Sequence, residues 1–380
     1  PPRSTLFPYT TLFRSSIEAH ELPELIQLLN LVFRPHGGDM GRDYPRHVAL
    51  SNRENVRIIT VDGKIVSHVS TSIRPLNLGG IPTWEAGIGA VATHPDARGH
   101  GFASILMQDA VERSVSQGAD IMLISGDMGV YKRMHAVECG QYLQVRITPD
   151  IPESQKGYSL RKVQFDDLPA IGRLWETLPV RYLLPLEDWQ ALFECQFVMD
   201  KPSEWWMVMD GDEAVGFGIV HPKDQELLLL DWVGRSDALN TAGAFWFQHY
   251  GIQTLTYTVC PNVSIPKSWL SQRQPIRAFD GTVLVIEARR FLQRARAFLA
   301  QRIGEEMLTR LQIDAQEQSV RFRFGDEQVT FEHGGEVTLL FFGHPTVDIL
   351  STKLAEGSKL RAVLRRMFPI PLVWYGIGYV

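Results

Sequence analysis

The sequence is poor in cysteine, and the few it has are not arranged for a metal site or a disulfide framework. Cys139, Cys195 and Cys260 lie far apart with no Cys-x-x-Cys pair, whereas a thiolate zinc site or a disulfide scaffold needs paired spacing. No apolar run approaches the ~18 residues of a membrane-spanning helix. A basic surplus is also missing, since 38 Lys and Arg oppose 43 Asp and Glu for a net charge of −5. This balance argues against a dedicated nucleic-acid binder.

What is present is typical of a folded globular chain. Hydrophobic residues make up 44% and charged residues 21% of the sequence, which excludes wholesale disorder. A length of 380 residues is ~2.5 times that of a typical domain and predicts two or three compact units. We expect a cytoplasmic protein, because neither a secretory signal nor a membrane span is recognisable.

The first 15 residues differ from the rest of the chain. They read PPRSTLFPYTTLFRS, repeat Thr-Leu-Phe around Pro8, and lack the long apolar core and small-residue cleavage site of a secretory signal. We interpret residues 1–15 as a foreign leader and expect the fold to begin at residue 16.

Three units are predicted after the leader. In residues 16–148, a leucine-rich helix precedes a hairpin around Asp62-Gly63, a strand over Trp84 to Thr93, a helix over Phe102 to Gln117 and a strand over Ile121 to Ile124. The glycines at 87 and 89 predict a bulge, or a close approach to the backbone, within the strand from Trp84.

The second unit, residues 149–287, repeats this order in degenerate form, with a hairpin around Asp210-Gly211-Asp212 and a strand over Leu227 to Val233. Residues 288–380 predict a small third unit: a helix near Phe291, a three-strand meander ending at Val337 to Leu339, and a helix over Thr346 to Arg366. The fold class is therefore α/β (α+β), with mixed sheets flanked by helices.

The segment from Val91 to Ala103 carries the strongest chemical signal. A glycine-rich turn that leaves a strand and opens a helix presents backbone N–H groups at the positive end of the helix dipole. Such a turn binds a pyrophosphate without side-chain chemistry, and Arg98 adds a positive charge beside it. The turn has neither the GxGxxG of a dinucleotide fold nor the Gly-Lys-Ser/Thr of a P-loop.

At these residues the sequence resembles the GNAT N-acetyltransferase superfamily, whose loop has the form Arg/Gln-x-x-Gly-x-Gly/Ala. Arg98, Gly101 and Ala103 meet that form, with Pro95 three residues ahead. The resemblance covers roughly residues 17–145 and implies acetyl-CoA as a co-substrate, with no metal. It implies that the pyrophosphate binds to Arg98, Gly99, His100, Gly101, Phe102, Ala103 and Ser104, and the pantetheine to the backbone of Val91, Ala92 and Thr93.

The order of two GNAT-like units and a sterol-carrier-like unit resembles the enhanced intracellular survival acetyltransferases. That resemblance implies that Tyr131 protonates the leaving thiolate, that Gly126 and Asp127 contact the cofactor, and that the Val380 carboxylate lies in the active site. The apolar tail after Phe368 is accordingly expected to be docked. One departure is Cys139-Gly140-Gln141, where many relatives have Gly-Phe or Gly-Tyr.

The chemistry of this assignment is consistent with the residue types. A thiolate with a solution pKa of ~8.5 leaves when an amine attacks a thioester, and a phenol with a pKa of ~10 is protonated at neutral pH and can donate that proton. The alternative for Tyr131 is a half-buried aromatic with a hydrogen-bonded hydroxyl group.

Other polar residues favour structural interpretations. Glu85 lies near the position of a general base in some GNAT enzymes, but its spacing is two residues off and predicts a solvated or ion-paired carboxylate. His94, His100 and His135 lack metal-ligand spacing. Cys139 has no base to activate it as a nucleophile.

We therefore predict an acetyl-CoA-dependent N-acetyltransferase in which a small-molecule or lysine primary amine attacks directly in a ternary complex. Nucleic acid is not expected as a partner, and a homo-oligomer stays open. The alternative is a non-catalytic acyl-CoA-sensing or lipid-binding protein that uses the C-terminal unit. The second unit is expected to bind no CoA, because its loop reads Gly234-Arg235-Ser236-Asp237, with one glycine and an acidic residue.

Overall fold

The computed structural model describes residues 12–44, 47–150, 157–199, 201–260, 263–374 and 376–379, which form mixed sheets flanked by helices. The predicted α/β class is confirmed. The strands are β1 (Leu12–Ser16), β2 (Val56–Val61), β3 (Lys64–Leu78), β4 (Pro82–Ile88), β5 (Ala92–Thr93), β6 (Ile121–Ile124), β7 (Leu143–Ile147), β8 (Ser159–Lys162), β9 (Val180–Tyr182), β10 (Phe197–Val198), β11 (Lys201–Pro202), β12 (Glu204–Asp210), β13 (Glu213–Lys223), β14 (Glu226–Gly234), β15 (Thr254–Val259), β16 (Thr282–Val285), β17 (Gln312–Ala315), β18 (Val320–Phe324) and β19 (Glu327–Phe331).

The α-helices lie between these strands and cover the faces of the sheets. They are α1 (Leu22–Phe33), α2 (Met40–Asp43), α3 (Phe102–Ser116), α4 (Gly129–Arg133), α5 (Leu168–Trp175), α6 (Leu186–Cys195), α7 (Ser236–Tyr250), α8 (Lys267–Leu270), α9 (Ala288–Ile303), α10 (Glu305–Arg310), α11 (Gly334–Phe342), α12 (Ile349–Lys353) and α13 (Lys359–Met367). None of the helices in the described ranges is long and apolar enough to cross a membrane.

The first sheet has the order β1-β2-β3-β4-β6-β16, and β5 and β9 also pair with β3. The predicted hairpin between β2 and β3 is confirmed: Asp62 and Gly63 have φ of 49° and 76°, the left-handed values that a tight two-residue turn requires. Strands β2, β3 and β4 are antiparallel, whereas β6 runs parallel to β4. This parallel pair positions the site described below.

The predicted long strand from Trp84 to Thr93 is interrupted where its glycines indicated. Strand β4 ends at Ile88, and the chain rejoins β3 only at Ala92. At Gly89 an added Cβ would lie 2.5 Å from Nδ1 of His47. The backbone therefore leaves the sheet at a position where only glycine fits.

The second sheet has the order β7-β15-β14-β13-β12-β8, which repeats the hairpin, strand, helix and parallel-strand order of the first. Three strands pair outside the unit to which their residues were assigned: β9 pairs with β3 of the first sheet, and the other two lie at the sheet edges. Strand β7, from the segment assigned to the first unit, pairs with β15, and β16, from the second segment, pairs with β6. Each sheet thus borrows an edge strand from the other, and the unit boundaries at residues 148 and 287 stay predictions.

The third unit contains a three-strand meander, but its strands are β17, β18 and β19. The predicted strand from Val337 to Leu339 is wrong, because these residues lie in α11. His333 Nδ1 accepts the Glu336 N–H (3.4 Å), an N-cap that starts a helix, and the Glu336 carboxylate accepts the N–H of the preceding Glu332 (2.7 Å). The predicted helix from Thr346 to Arg366 is two helices, α12 and α13.

The leader contributes to the sheet. Residues 12–15 belong to β1 and pair with β2, so excluding all of residues 1–15 from the fold was wrong. Residues 1–11 lie outside the described residues, and the foreign origin of the leader stays a prediction.

The C-terminal tail is docked, as predicted. Phe368, Ile370, Leu372 and Val373 are buried in a core shared with α9 and α11. The Tyr142 hydroxyl group donates to the Val373 carbonyl (2.9 Å), so the tail packs against the segment that links the two sheets. Val380 lies outside the described residues.

Candidate active site

The candidate site is a cleft of about 700 Å³ at the point where β4 and β6 separate. The last residue pair of these two parallel strands is Ile88 with Ile124. Beyond it the chains diverge, and Val91, Gly126, Asp127 and Tyr131 line the opening. The opposite wall comes from the second unit, in which residues 228–230 of β14 line the same cleft.

The glycine-rich turn before α3 has the backbone that a pyrophosphate site requires. Gly99 and Gly101 have φ of +82° and +80°, and a Cβ added to either would meet no atom within 4 Å. Gly101 precedes α3, whose first described backbone hydrogen bond runs from Ile105 N to the Gly101 carbonyl (3.1 Å). The N–H groups before Ile105 are directed towards the open side of the turn.

The side chains of the turn have different roles. Arg98 is exposed, whereas His100 Nδ1 lies 3.2 Å from the Ala97 carbonyl and its ring stacks on Phe102. Phe102 is buried, so only its backbone can contribute to a ligand site. The Ser104 hydroxyl accepts from Arg133 (3.3 Å), which links the start of α3 to α4. Ala103 follows the turn with a half-buried side chain.

The three residues predicted to contact pantetheine are not equivalent. Val91 lines the cleft. Ala92 is buried and pairs with His68, while the Thr93 hydroxyl lies 2.9 Å from that of Ser67. Any contact of Ala92 or Thr93 with a ligand in the cleft must therefore use the backbone.

Tyr131 lies on α4 and faces the cleft. Its side chain is 6% exposed, and a Cβ added at Gly126 would lie 3.2 Å from the Tyr131 ring. The Gly126 carbonyl in turn accepts from the Thr282 hydroxyl of β16 (2.8 Å). Burial raises the pKa of Tyr131 to about 12, which keeps the phenol protonated at neutral pH.

Glu85 is the residue that sequence reasoning misplaced. It is completely buried, and among the described residues neither carboxyl oxygen has a hydrogen-bond partner. Burial raises the pKa of Glu85 to about 8, with the charge of cross-strand Arg74 opposing the shift. Of the two predicted forms, a solvated or an ion-paired carboxylate, the solvated form is therefore wrong. The alternation that places Ala86 in the core beneath α3 places Glu85 on the opposite, covered face, across from Arg74.

A row of polar side chains connects Glu85 to the cleft. Ser72 lies opposite Gly87 in the β3–β4 pair, and Ser70 and His47 surround Gly89, one pleat further along. Gly89 and His47 line the cleft. One signal for this row is present in the sequence: Ser70, Ser72 and Arg74 are polar residues at two-residue spacing, which places them on one face of β3.

We predict that Glu85→Gln makes stability less dependent on pH. The folded-state pKa of about 8 exceeds the ordinary value of 4.5, so the stability associated with the protonated carboxyl is complete below pH 4.5 and is lost up to pH 8. This slope is at most about 1.4 kcal/mol per pH unit. Thermal unfolding from pH 5 to pH 8 should show that the stability of the variant, relative to that of the wild type, increases as the pH rises. A constant difference across this range would contradict the assignment.

The remaining cysteine and histidine candidates are structural. Cys139 is completely buried, and burial raises the pKa of its thiol well above the ordinary value, which makes it a poor nucleophile. His135 stacks on His333 with ring centroids 4.2 Å apart, and His94 accepts the Asp96 N–H (3.3 Å). Within the described ranges, no group of three or more His, Cys, Asp or Glu residues is placed to hold a metal ion.

The comparison with protein families agrees with this geometry. Residues 15–136 match the family described as "Acetyltransferase (GNAT) domain". Residues 15–136 are therefore a GNAT acetyltransferase domain, and this match supports an acetyltransferase. A search of curated proteins found no match.

Solved structures extend the likeness of fold to nearly the whole chain. Eis1 from Mycobacterium abscessus is 12% identical, with 96% of this chain and 99% of that chain covered and a TM-score of 0.62. A probable N-acyltransferase from Enterococcus faecalis V583 is 13% identical over 96% and 97%, with a TM-score of 0.66. A GCN5-related N-acetyltransferase from Anabaena variabilis is 15% identical over 96% and 98%, with a TM-score of 0.65. At these identities the likeness concerns the fold, and it agrees with the predicted resemblance to the enhanced intracellular survival proteins.

Proposed function

We propose that the protein transfers the acetyl group of acetyl-CoA to a primary amine by direct attack in a ternary complex, with Tyr131 as the general acid. The observation that carries this proposal is the placement of Tyr131: a buried, protonated phenol at the mouth of the gap between β4 and β6. The glycine turn before α3 has open space for a pyrophosphate, and the hydrogen bond between Ser104 and Arg133 links the start of α3 to the helix that carries Tyr131.

The reaction requires one proton donor and no covalent nucleophile. The amine nitrogen bonds to the thioester carbonyl carbon, the backbone near Val91 polarises that carbonyl, and the C–S bond breaks. The departing sulfur takes the phenolic proton of Tyr131. A cationic amine loses two protons on its way to the amide, one before it attacks and one after; one of them returns to the Tyr131 phenolate and the other goes to water. Burial raises the pKa of the Tyr131 phenol, and it also raises the pKa of a CoA thiol in the same cleft. The difference in pKa between the two is therefore smaller than if burial affected the phenol alone.

The cleft has room for an acceptor beside the thioester. Its lining combines apolar side chains such as Phe33 and Trp374 with paired charges, among them Asp280, which lies 3.4 Å from Arg277. A small amine and a lysine side chain both suit this lining. The Val380 carboxylate, by resemblance, would attract the cationic amine.

Thioester consumption with a panel of primary amines tests the proposal. Free CoA should appear in proportion to acetylated amine, and only when both substrates are present. Binding of acetyl-CoA or of a fluorescent lipid, with no turnover on any amine, would instead support the alternative of an acyl-CoA-sensing or lipid-binding protein.

A C-terminal extension should impair the reaction more than the fold. Residues added after Val380 move the chain's carboxylate away from the docked end of the tail. We expect kcat to fall on the order of tenfold or more, with little change in the unfolding temperature. The same peptide added at the N-terminus is the control. Equal activity of the two tagged proteins would contradict a role for the terminal carboxylate.

We further predict one acetyl-CoA per chain. In the second unit, an added Cβ at Gly234 would lie 2.5 Å from the Val215 carbonyl oxygen, so this glycine allows close strand packing. Asp237 lies in the first turn of α7 and accepts from the Tyr158 hydroxyl (3.1 Å), and its negative charge would repel a pyrophosphate. Calorimetric titration should give a stoichiometry of one, and a value of two would refute the prediction.

A further inference from the structure

The last described residues of the chain lie between the two sheets, where the tail donates one hydrogen bond and accepts another. The Ile377 N–H donates to the Asp231 carboxylate on β14 (2.5 Å), and the buried Arg74 of β3 donates to the Gly378 carbonyl. Ile377 is completely buried in the core of the second unit. One unit thus holds the tail by an acceptor and the other by a donor.

The register of the strands shows where Asp231 lies. In the second sheet the parallel strands β14 and β15 are last paired at Leu229 with Tyr257, as β4 and β6 are at Ile88 with Ile124. Asp231 follows Leu229 by two residues, as Ala90 follows Ile88. Asp231 therefore lies in the second unit's counterpart of the gap that forms the cleft in the first.

The tail leaves little of that gap open. The remaining cavity has a volume of about 20 Å³, against about 700 Å³ for the cleft of the first unit. Its lining combines Asp231 and Tyr257 from the diverging strands with residues 376–378 of the tail.

Glycine is required on both sides of Ile377. A methyl group at Gly376, which has φ of +50°, would overlap the Asp231 carboxylate, and one at Gly378 would overlap the Tyr182 ring. The Gly-Ile-Gly sequence allows the backbone to pass between two strands and to present one N–H and one carbonyl to the two buried side chains.

We propose that the strand gap of the second unit binds the chain's own tail, and that Asp231 and Arg74 are positioning residues that direct the chain end towards the cleft of the first unit. The positioning part of this inference rests on the proposed acetyltransferase mechanism. It also gives a role to a second unit that repeats the order of elements of the first and is predicted to bind no acyl-CoA.

The test uses the full-length chain and three variants. Asp231→Leu removes the acceptor for the Ile377 N–H and keeps the same branching of the side chain, Asp231→Asn keeps an oxygen there, and Gly378→Ala adds the overlapping methyl group. Gly357→Ala is the control for the last, because a Cβ there meets no atom within 4 Å. Two readouts are compared: hydrogen exchange of a C-terminal peptide covering residues 368–380, and kcat with KM for acetyl-CoA.

We expect Asp231→Leu and Gly378→Ala to expose the tail amides and to lower kcat by about 10- to 100-fold, with KM for acetyl-CoA unchanged. Asp231→Asn should restore most of both properties, and the control should match the wild type. Unchanged hydrogen exchange of the tail amides in Asp231→Leu would overturn the proposed binding of the tail. Faster hydrogen exchange with unchanged kcat would overturn the positioning role. If the wild type acetylates no amine, the proposed function fails, but hydrogen exchange still decides whether Asp231 holds the tail.

Discussion

Replacing Tyr131 by Phe should lower kcat by about 10²- to 10⁴-fold, the range that a general acid contributes, and leave acetyl-CoA affinity nearly unchanged. The substitution keeps the ring that packs beside Gly126 and removes only the hydroxyl group. Because the phenol donates its proton as the C–S bond breaks, its loss affects the transition state and not the bound ground state. Steady-state kinetics combined with calorimetric titration separates the two effects.

Tyr158→Phe is the matched control for this variant. Tyr158 is also buried, but its hydroxyl group donates to Asp237 in the second unit, remote from the first unit's glycine turn. Its loss should affect stability slightly and turnover not at all. Full activity of Tyr131→Phe would show that the thiolate obtains its proton from elsewhere, and the proposed acid role would then be rejected.

Replacing Gly101 by Leu should abolish measurable acetyl-CoA binding, with affinity falling by about 100-fold or more, equivalent to about 2.7 kcal/mol. At φ of +80° the new side chain projects into the open space where the pyrophosphate would approach the backbone, and the left-handed conformation adds strain of about 1 kcal/mol. Calorimetric titration measures the loss directly.

Gly118→Leu separates the effect on binding from the effect of strain. Gly118 follows the other end of α3, has φ of +94°, and has equally open surroundings. Both variants should lose similar stability in thermal unfolding, but only Gly101→Leu should lose acetyl-CoA. Unchanged affinity in Gly101→Leu would show that the turn before α3 is not the pyrophosphate site.

Because the two sheets exchange edge strands, a strand from the second segment supports the candidate site of the first unit. Strand β16 pairs with β6, and the Thr282 hydroxyl group on it holds the Gly126 carbonyl beside Tyr131. The floor of the candidate site thus depends on a segment more than 150 residues away along the chain. Destabilising the second unit should therefore disturb the site in the first.

Local sequence determined the elements that carry the site. Asp62-Gly63 specified the turn of the first hairpin, and the spacing of Arg98, Gly101 and Ala103 located the glycine turn and the start of α3. These predictions held because turn and cap conformations depend on a few neighbouring residues. The assignment of Tyr131 as the acid stays a prediction, although the structure places it at the cleft.

Other local signals were ambiguous. The run from Val337 is apolar on all sides, so its periodicity does not separate a buried strand from a buried helix, and the cap between His333 and Glu336 decided the outcome. The helix over Thr346 to Arg366 broke near Gly357, where the chain turns before Ser358 caps α13.

Only the tertiary structure decided the exchange of β7 and β16, the burial of Glu85 and the grip of Asp231 and Arg74 on the tail. Each depends on groups distant in sequence: Arg74 meets the Gly378 carbonyl across 304 positions. Strand pairing and desolvation are set by which surfaces come together once the sheets pack. A single strand's alternation shows that Glu85 and Ala86 face opposite ways, but it does not show what covers each face.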